Sequence, residues 1–232
     1  MALYVLGDLH LSLASGKPMD VFGGAWDGYM HKLAAGLSAL KDGDTLILCG
    51  DTSWAMGLEE AAPDFRWIAQ FPGKKYLIKG NHDYWWATAK KLENHWECLG
   101  VKDLHLLHNN AIRVGDAAVC GTRGWFYEED RHGTHDEKVF LRELGRLRAS
   151  FEAGRLTGAA ELVCCLHYPP LYEGYRCDPI VDLMNEYSVR RCYFGHLHSH
   201  AQNRVIEGPY AGIDYTLAAA DYTGFKPVEI QT

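Results

Sequence analysis

Two hydrophobic patterns alternate along the chain. Six short apolar runs each stop at a polar cluster: LYVLGDLH (3–10), TLILCGD (45–51), KYLIKGNHD (75–83), AAVCGTRGW (117–125), ELVCCLHYPP (161–170) and RCYFGHLH (191–198). Their length, composition and Gly or Pro endings predict β-strands. Between them, residues 26–41, 58–71, 85–99 and 136–153 carry apolar residues at helical spacing with charge on the other face, which predicts helices. After His200, QNRVIEGPYAGIDYTLAAADY predicts short strands joined by Gly and Pro turns, with no clear helix. Strand and helix therefore alternate through the first two thirds, the order expected of an α/β fold. No fixed-period repeat, low-complexity tract or linker interrupts the pattern, so one domain spanning 1–232 is expected.

The ends of the runs carry the candidate chemistry. In α/β sheets ligands bind beyond the carboxyl ends of the strands, so polar residues that terminate successive strands converge on one crevice. That crevice would receive Asp8, His10, Asp51, Asn81, His82, His167, His196 and His198, with Arg123 from the fourth run. Carboxylate, imidazole and amide oxygen without thiolate suit a divalent Mn, Fe or Zn ion, with Mn favoured. The number of donors implies two ions. Asp8, His10, Asp51 and His198 would form one set and Asn81, His167 and His196 a second, with Asp51 bridging. Paired ions of this kind bind a phosphoryl oxygen, generate hydroxide at neutral pH and stabilise in-line displacement. His82 remains outside both sets; adjacent residues of an extended segment point to opposite sides, so it is free to face substrate and pass a proton to a leaving oxygen. Asp83 is expected to fix a ring or a loop.

Composition narrows the alternatives. A formal charge of -7 and a pI near 5.9 argue against a general basic field for nucleic acid. No apolar run approaches a membrane span, and the N-terminus lacks signal-peptide features, so a cytosolic location is expected. Seven cysteines make an odd count without a CxxC pair, and most lie inside strand-like runs, where Cys acts as a small hydrophobe. That usage fits a reducing compartment rather than a thiol nucleophile.

The ordered set Asp8-Leu9-His10, Gly50-Asp51, Gly80-Asn81-His82-Asp83, His167 and Gly195-His196-Leu197-His198 resembles the signature of calcineurin-like metallophosphoesterases across residues 8–198. The resemblance implies a two-sheet β sandwich flanked by helices in four layers, α/β/β/α. It also implies a dinuclear centre and hydrolysis of a small phosphoester by metal-bound hydroxide. Asp8, His10, Asp51, Asn81, His167, His196 and His198 take the ligand roles, and His82 that of leaving-group acid. The chain departs from the protein phosphatases of that family, whose second motif reads Gly-Asp-x-x-Asp-Arg-Gly. Here Trp54 and Ala55 replace the acid and the Arg. Loss of that guanidinium tilts the expectation from monoester to diester, with a phosphomonoesterase as the alternative. A nuclease, or a non-catalytic scaffold that keeps the metal, is the other reading.

The remaining candidates carry plainer expectations. Asn81 and Arg123 are expected to touch substrate, although Arg123 is equally suited to a turn. His31, His95, His105, His108, His132, His135 and His200 read as surface or satisfied polar residues. Of Trp54, Tyr84, Trp85 and Trp86, at least half should be core, with one or two walling the cleft. Tyr168, Tyr172 and Arg176 are weaker candidates for leaving-group contact. Residues 126–138 and 171–180 are the segments that raise the question of a lid. Oligomeric state is left open.

Overall fold

The computed structural model describes residues 1–125 and 134–231. Its first half contains β1 (Leu3–Leu6), α1 (Tyr29–Leu37), β2 (Thr45–Cys49), α2 (Leu58–Ala69), β3 (Lys74–Ile78), α3 (Ala89–Cys98), β4 (Leu104–Leu106), β5 (Ala111–Val114) and β6 (Ala117–Thr122). Its second half contains α4 (Thr134–Leu156), β7 (Glu161–Leu166), β8 (Leu171–Tyr172), β9 (Tyr175–Arg176), α5 (Asp178–Glu186), β10 (Arg191–Phe194), β11 (Gly208–Tyr210), β12 (Ile213–Leu217) and β13 (Val228–Ile230). One sheet has the order β13-β1-β2-β3-β4, and a second has β11-β12-β10-β7-β6-β5. Strands β1 to β4 run parallel, as do β6, β7, β10 and β12, while β13, β5 and β11 close edges antiparallel.

The two sheets pack face to face because their strands are apolar on both sides. On β2, Leu46 and Leu48 face a core shared with Leu33 and Leu37 of α1, Phe65 of α2 and Trp96 of α3. The alternate residues Ile47 and Cys49 face Val163 and Cys165 of β7 in the other sheet. Strand β7 repeats the arrangement: Leu162, Cys164 and Leu166 face Leu147 and Phe151 of α4 and Met184 of α5. Strand periodicity sends alternate residues to opposite faces, so an uninterrupted apolar run marks a strand covered on both. The result is four layers, α/β/β/α, with helices α1–α3 outside one sheet and α4–α5 outside the other. Burying each large core side chain contributes about 1.5–3 kcal/mol. None of the described helices is long and apolar enough to cross a membrane.

All six apolar runs form strands, but several helices differ from the expected spans. Helix α1 starts later than expected from 26–41, because Gly28, just before Tyr29, has a φ of 64°, a left-handed backbone that no α-helix contains. Helix α3 begins at Ala89, four residues later than expected, after Trp85 has turned inward to donate its indole N–H to Asp83 at 3.0 Å. Helix α5 and the β8–β9 hairpin occupy most of the span 171–180, which reads as a loop in the sequence. Pro179 in the first turn of α5 is a helix-start signal that was available there. The segment 126–133, including His132, lies outside the described residues, as does the side chain of His135.

Candidate metal centre

The donors stand on loops that leave the parallel strands at one end of both sheets. Asp8 and His10 follow β1, Asp51 follows β2, Asn81 follows β3, His167 follows β7, and His196 and His198 follow β10. Asp8, His10, Asp51 and His196 have φ of 61°, 46°, 49° and 75°. Non-glycine residues reach this region at a cost of order 1–3 kcal/mol each and cluster where function constrains the backbone. Backbone bonds hold the strained loops together: Asp8 N donates to Gly50 O at 2.9 Å, and His10 N to Asp51 O at 2.9 Å. Glycine is required beside the carboxylates by close approach. A Cβ on Gly80 would overlap Asp51 Oδ1, and one on Gly195 would overlap Asp8 Oδ2.

Two groups of donors result, and within each the donor atoms lie within 4.8 Å of one another: Asp8, His10 and His198, then Asp51, His167 and His196. Asp51 faces both groups. Its Oδ2 is 3.8 Å from His10 Nε2, and its Oδ1 is 3.6 Å from His167 Nε2. Asn81 Oδ1 joins the second group, 2.6 Å from His167 Nε2 and 2.9 Å from His196 Nδ1. Every expected ligand residue is therefore brought to one cluster. His82 stands beside it rather than in it, with ring centroids 4.2 Å from Trp54 and 5.9 Å from His10. Its backbone N–H donates to Asp51 Oδ1 at 2.8 Å.

Proton accounting shows that the donor set suits cations. His167 Nδ1 lies 2.9 Å from Cys49 O, so that nitrogen carries the proton and Nε2 presents a lone pair. Nε2 then faces the Asn81 carbonyl oxygen, a lone pair against a lone pair. His198 Nδ1 likewise meets Asp221 Oδ1 at 2.8 Å, while its Nε2 faces His10 Nε2 at 3.3 Å and Asp8 Oδ1 at 3.4 Å. A divalent ion relieves the convergent lone pairs of His167 Nε2 and Asn81 Oδ1, and the oxygen/nitrogen mix of the donors is that of a hard or borderline one.

The titration of the metal-free cluster expresses the same crowding. Burial disfavours the charged form of Asp8, but His198, His167 and His10 together hold its carboxyl below the ordinary range. Asp51 is pushed up to about 8, by burial and then by Asp8. Burial also opposes a charged His198, yet Asp8 and Asp221 outweigh it and raise the imidazole to about 10. His196 falls to about 3 through burial and the neighbouring His167. Burial and His167 lower His82 as well.

The surrounding residues divide by role. Asp83 fixes a loop: its carboxylate accepts the backbone N–H of Thr52, Ser53 and Gly80 at 2.9, 3.2 and 2.7 Å, besides the Trp85 indole. Burial and then Asp51 raise it to about 7. Trp54 walls the cluster, stacked on His10 at 5.0 Å, whereas Trp85 is buried in the core, Trp86 packs against it and Tyr84 is 54% exposed. Tyr168 stands 4.6 Å from the His196 ring. Tyr172 and Arg176 are engaged away from it, Tyr172 under Arg204 and against Tyr175, and Arg176 with Asp178. The Arg123 carbonyl accepts His167 N at 3.1 Å, while its guanidinium lies over Trp125 at 4.5 Å. His31 and His200 are exposed, and His95, His105 and His108 are half-buried outside both donor groups.

Three contributors escape the sequence reading. Asp221, which orients His198, ends the apolar run LAAAD after β12, the same pattern that marks the other donors. Trp26 packs edge-on against His198 at 5.7 Å. Asp64 of α2 is buried and accepts Leu13 N at 2.9 Å and the Ser53 hydroxyl, which ties the loops after β1 and β2 to one helix.

A four-layer α/β/β/α sandwich with oxygen/nitrogen donors clustered at its strand ends defines a metal-binding hydrolase class. The chain belongs to the calcineurin-like phosphoesterase family, whose model matches residues 1–200. Family membership supports metal-dependent hydrolysis of small phosphoesters. Among solved structures, TT1561 of Thermus thermophilus is 12% identical, with 99% of this chain and 97% of that chain covered and a TM-score of 0.50. The protein of unknown function AQ665 from Aquifex aeolicus is 16% identical, with 98% and 95% covered and a TM-score of 0.48. No curated protein matches the chain.

Proposed function

We propose that the protein hydrolyses a phosphodiester at a centre of two divalent ions, with Mn favoured. The observation that carries this reading is Asp51, whose two oxygens face two separate donor groups. Asp8, His10, Asp51 and His198 would hold one ion, and Asp51, Asn81, His167 and His196 the other. Ions so held would polarise a phosphoryl oxygen and acidify a water molecule. The chain's own residues supply orientation: Asp221 and the Cys49 carbonyl set the imidazole tautomers, and Asp83 holds the loop that carries Asn81 and His82. His82 acts as leaving-group acid. Its ring is braced by Trp54, and an anionic substrate raises its proton affinity against the effect of burial. Asn81 and Arg123 bind substrate. The apolar layer shared by the two sheets supports a single domain over 1–232.

Diester preference rests on Trp54 and Ala55 standing where a monoesterase would carry an acid and an Arg. The test compares kcat/KM for bis-nitrophenyl phosphate and nitrophenyl phosphate at matched Mn loading. A higher value for the diester is expected. A clear preference for the monoester would sink the diester reading, and absence of turnover of both at full metal occupancy would sink the enzyme reading.

A further inference from the structure

The loops after β3 and β6 meet beside the centre, and each carries a cation that lacks a full set of partners. Lys79 follows β3 and immediately precedes Gly80 and Asn81; Arg123 follows β6. Their strands belong to different sheets but touch at their ends, where a Cβ on Gly121 would lie 3.1 Å from Ile78 Cδ1. Lys79 is half-buried, and among the described residues its ammonium has no ion-pair partner within contact distance. Arg123 has 17% side-chain exposure, its buried Nε has no partner, and its Nη2 stands 3.7 Å from Glu143 Oε1, beyond a hydrogen bond.

The acids in range are already engaged. Glu143 is buried, accepts the Thr122 hydroxyl at 2.8 Å and pairs with Arg146. Asp83 gives its oxygens to three backbone N–H groups and the Trp85 indole. The field at Lys79 contains Arg123 and Arg146 as well as these two carboxylates, and the half-buried His108 shares the same neighbours. Three cations thus share two buried carboxylates whose oxygens are already engaged. Half-buried, under-partnered guanidinium and ammonium groups are matched by an anion with several acceptor oxygens, and phosphate fits the Arg fork best.

We propose that Lys79 and Arg123 form a subsite for a second phosphate group of the substrate, carried on the ester arm that remains on phosphorus after cleavage. The assignment rests on the phosphoesterase reading and deepens it. Position selects the arm. The Arg123 carbonyl accepts His167 N and Tyr168 N at 3.1 and 2.9 Å, which anchors the backbone that carries the guanidinium beside the Asp51–His167–His196 group. His82, the leaving-group acid, stands with Trp54 and His10 at the other group.

Two nitrophenyl diesters that differ only in the retained arm, ethyl against 2-phosphoethyl, test the subsite on Mn-loaded enzyme. The phosphorylated arm should raise kcat/KM roughly 10- to 100-fold, mainly through KM, as expected of charge-assisted hydrogen bonds. Lys79→Gln and Arg123→Gln should each reduce that ratio toward one. A ratio near one in the unmodified enzyme, or one unchanged in both variants, overturns the proposal. Calorimetric titration with inorganic pyrophosphate reads the same groups without turnover. Binding weakened about tenfold or more in both variants supports the subsite even if neither ester is cleaved, an outcome that would sink the esterase reading alone. Equal pyrophosphate binding by all three proteins overturns the subsite.

Discussion

Indole rings wall the donor group of Asp8, His10 and His198, whereas polar backbone and the Tyr168 phenol ring border that of Asp51, His167 and His196. His10 stacks on Trp54 at 5.0 Å and meets Trp26 edge-on at 5.8 Å, and its Nδ1 is buried without a hydrogen-bond partner. Ring packing on one side and the His198 Nε2 at 3.3 Å on the other orient that imidazole. In the other group, His167 is set by the Cys49 carbonyl and its chain is held by the Arg123 carbonyl. The contrast teaches that the centre is asymmetric in its surroundings: an indole-lined side carrying His82, and a side whose backbone is joined to the loop of Arg123. In the proposed reaction the bond to be broken would point toward the first, the retained portion toward the second.

Asp51 is the residue common to both sides, so Asp51→Asn should erase the comparison with the largest effect. Both ions should be lost or weakened, and kcat/KM for diesters should fall roughly 10⁴-fold or more. Metal analysis that finds two tightly held ions in the purified variant would refute the bridge.

His82→Ala isolates the ring-lined side. Metal content should stay at two ions, and the rate on alkyl diesters should fall about 10²- to 10⁴-fold, with a smaller loss on nitrophenyl esters. Equal losses on both leaving groups would remove His82 as the acid.

Asp221→Asn acts on one group only. Its carboxylate holds His198, so the first ion should bind about 10- to 100-fold more weakly while the second is retained. The pH dependence follows in sign. His198, raised to about 10, and Asp51, raised to about 8, must each lose a proton to take up metal, so uptake by the unmodified protein weakens as pH falls through those values. His196, at about 3, imposes no such requirement near neutrality. Metal affinity that is flat from pH 10 to pH 7 would contradict this assignment.

The smallest effect is expected from Trp54→Ala, which removes the ring that braces His82 and His10. A loss of roughly 2- to 10-fold in kcat/KM corresponds to one aromatic contact. A loss as large as that of His82→Ala would mean that Trp54 does more than orient.

The sequence by itself determined the strands, their order and the residues at their ends, because a strand covered on both faces must be apolar throughout and must stop where its polar loop begins. LYVLGDLH and RCYFGHLH read this way without any structure, and so did the candidate donors at their ends, while the missing Arg after Asp51 emerged only against the family resemblance. Short or locally ambiguous signals were less legible. Helix α5 begins at a Pro that also marks loops, and β4 has only three residues, Leu104–Leu106. Only the tertiary structure brought the donors of each group into contact, since Asp8 and His198 lie near opposite ends of the chain and meet only when β1 and β10 are stacked in separate sheets. It alone attached Asp221 to His198, left Tyr172 and Arg176 away from the cluster and placed Lys79 beside Arg123. Each of those outcomes depends on the distance between sheets and loops, and local hydrophobic periodicity carries no record of that distance.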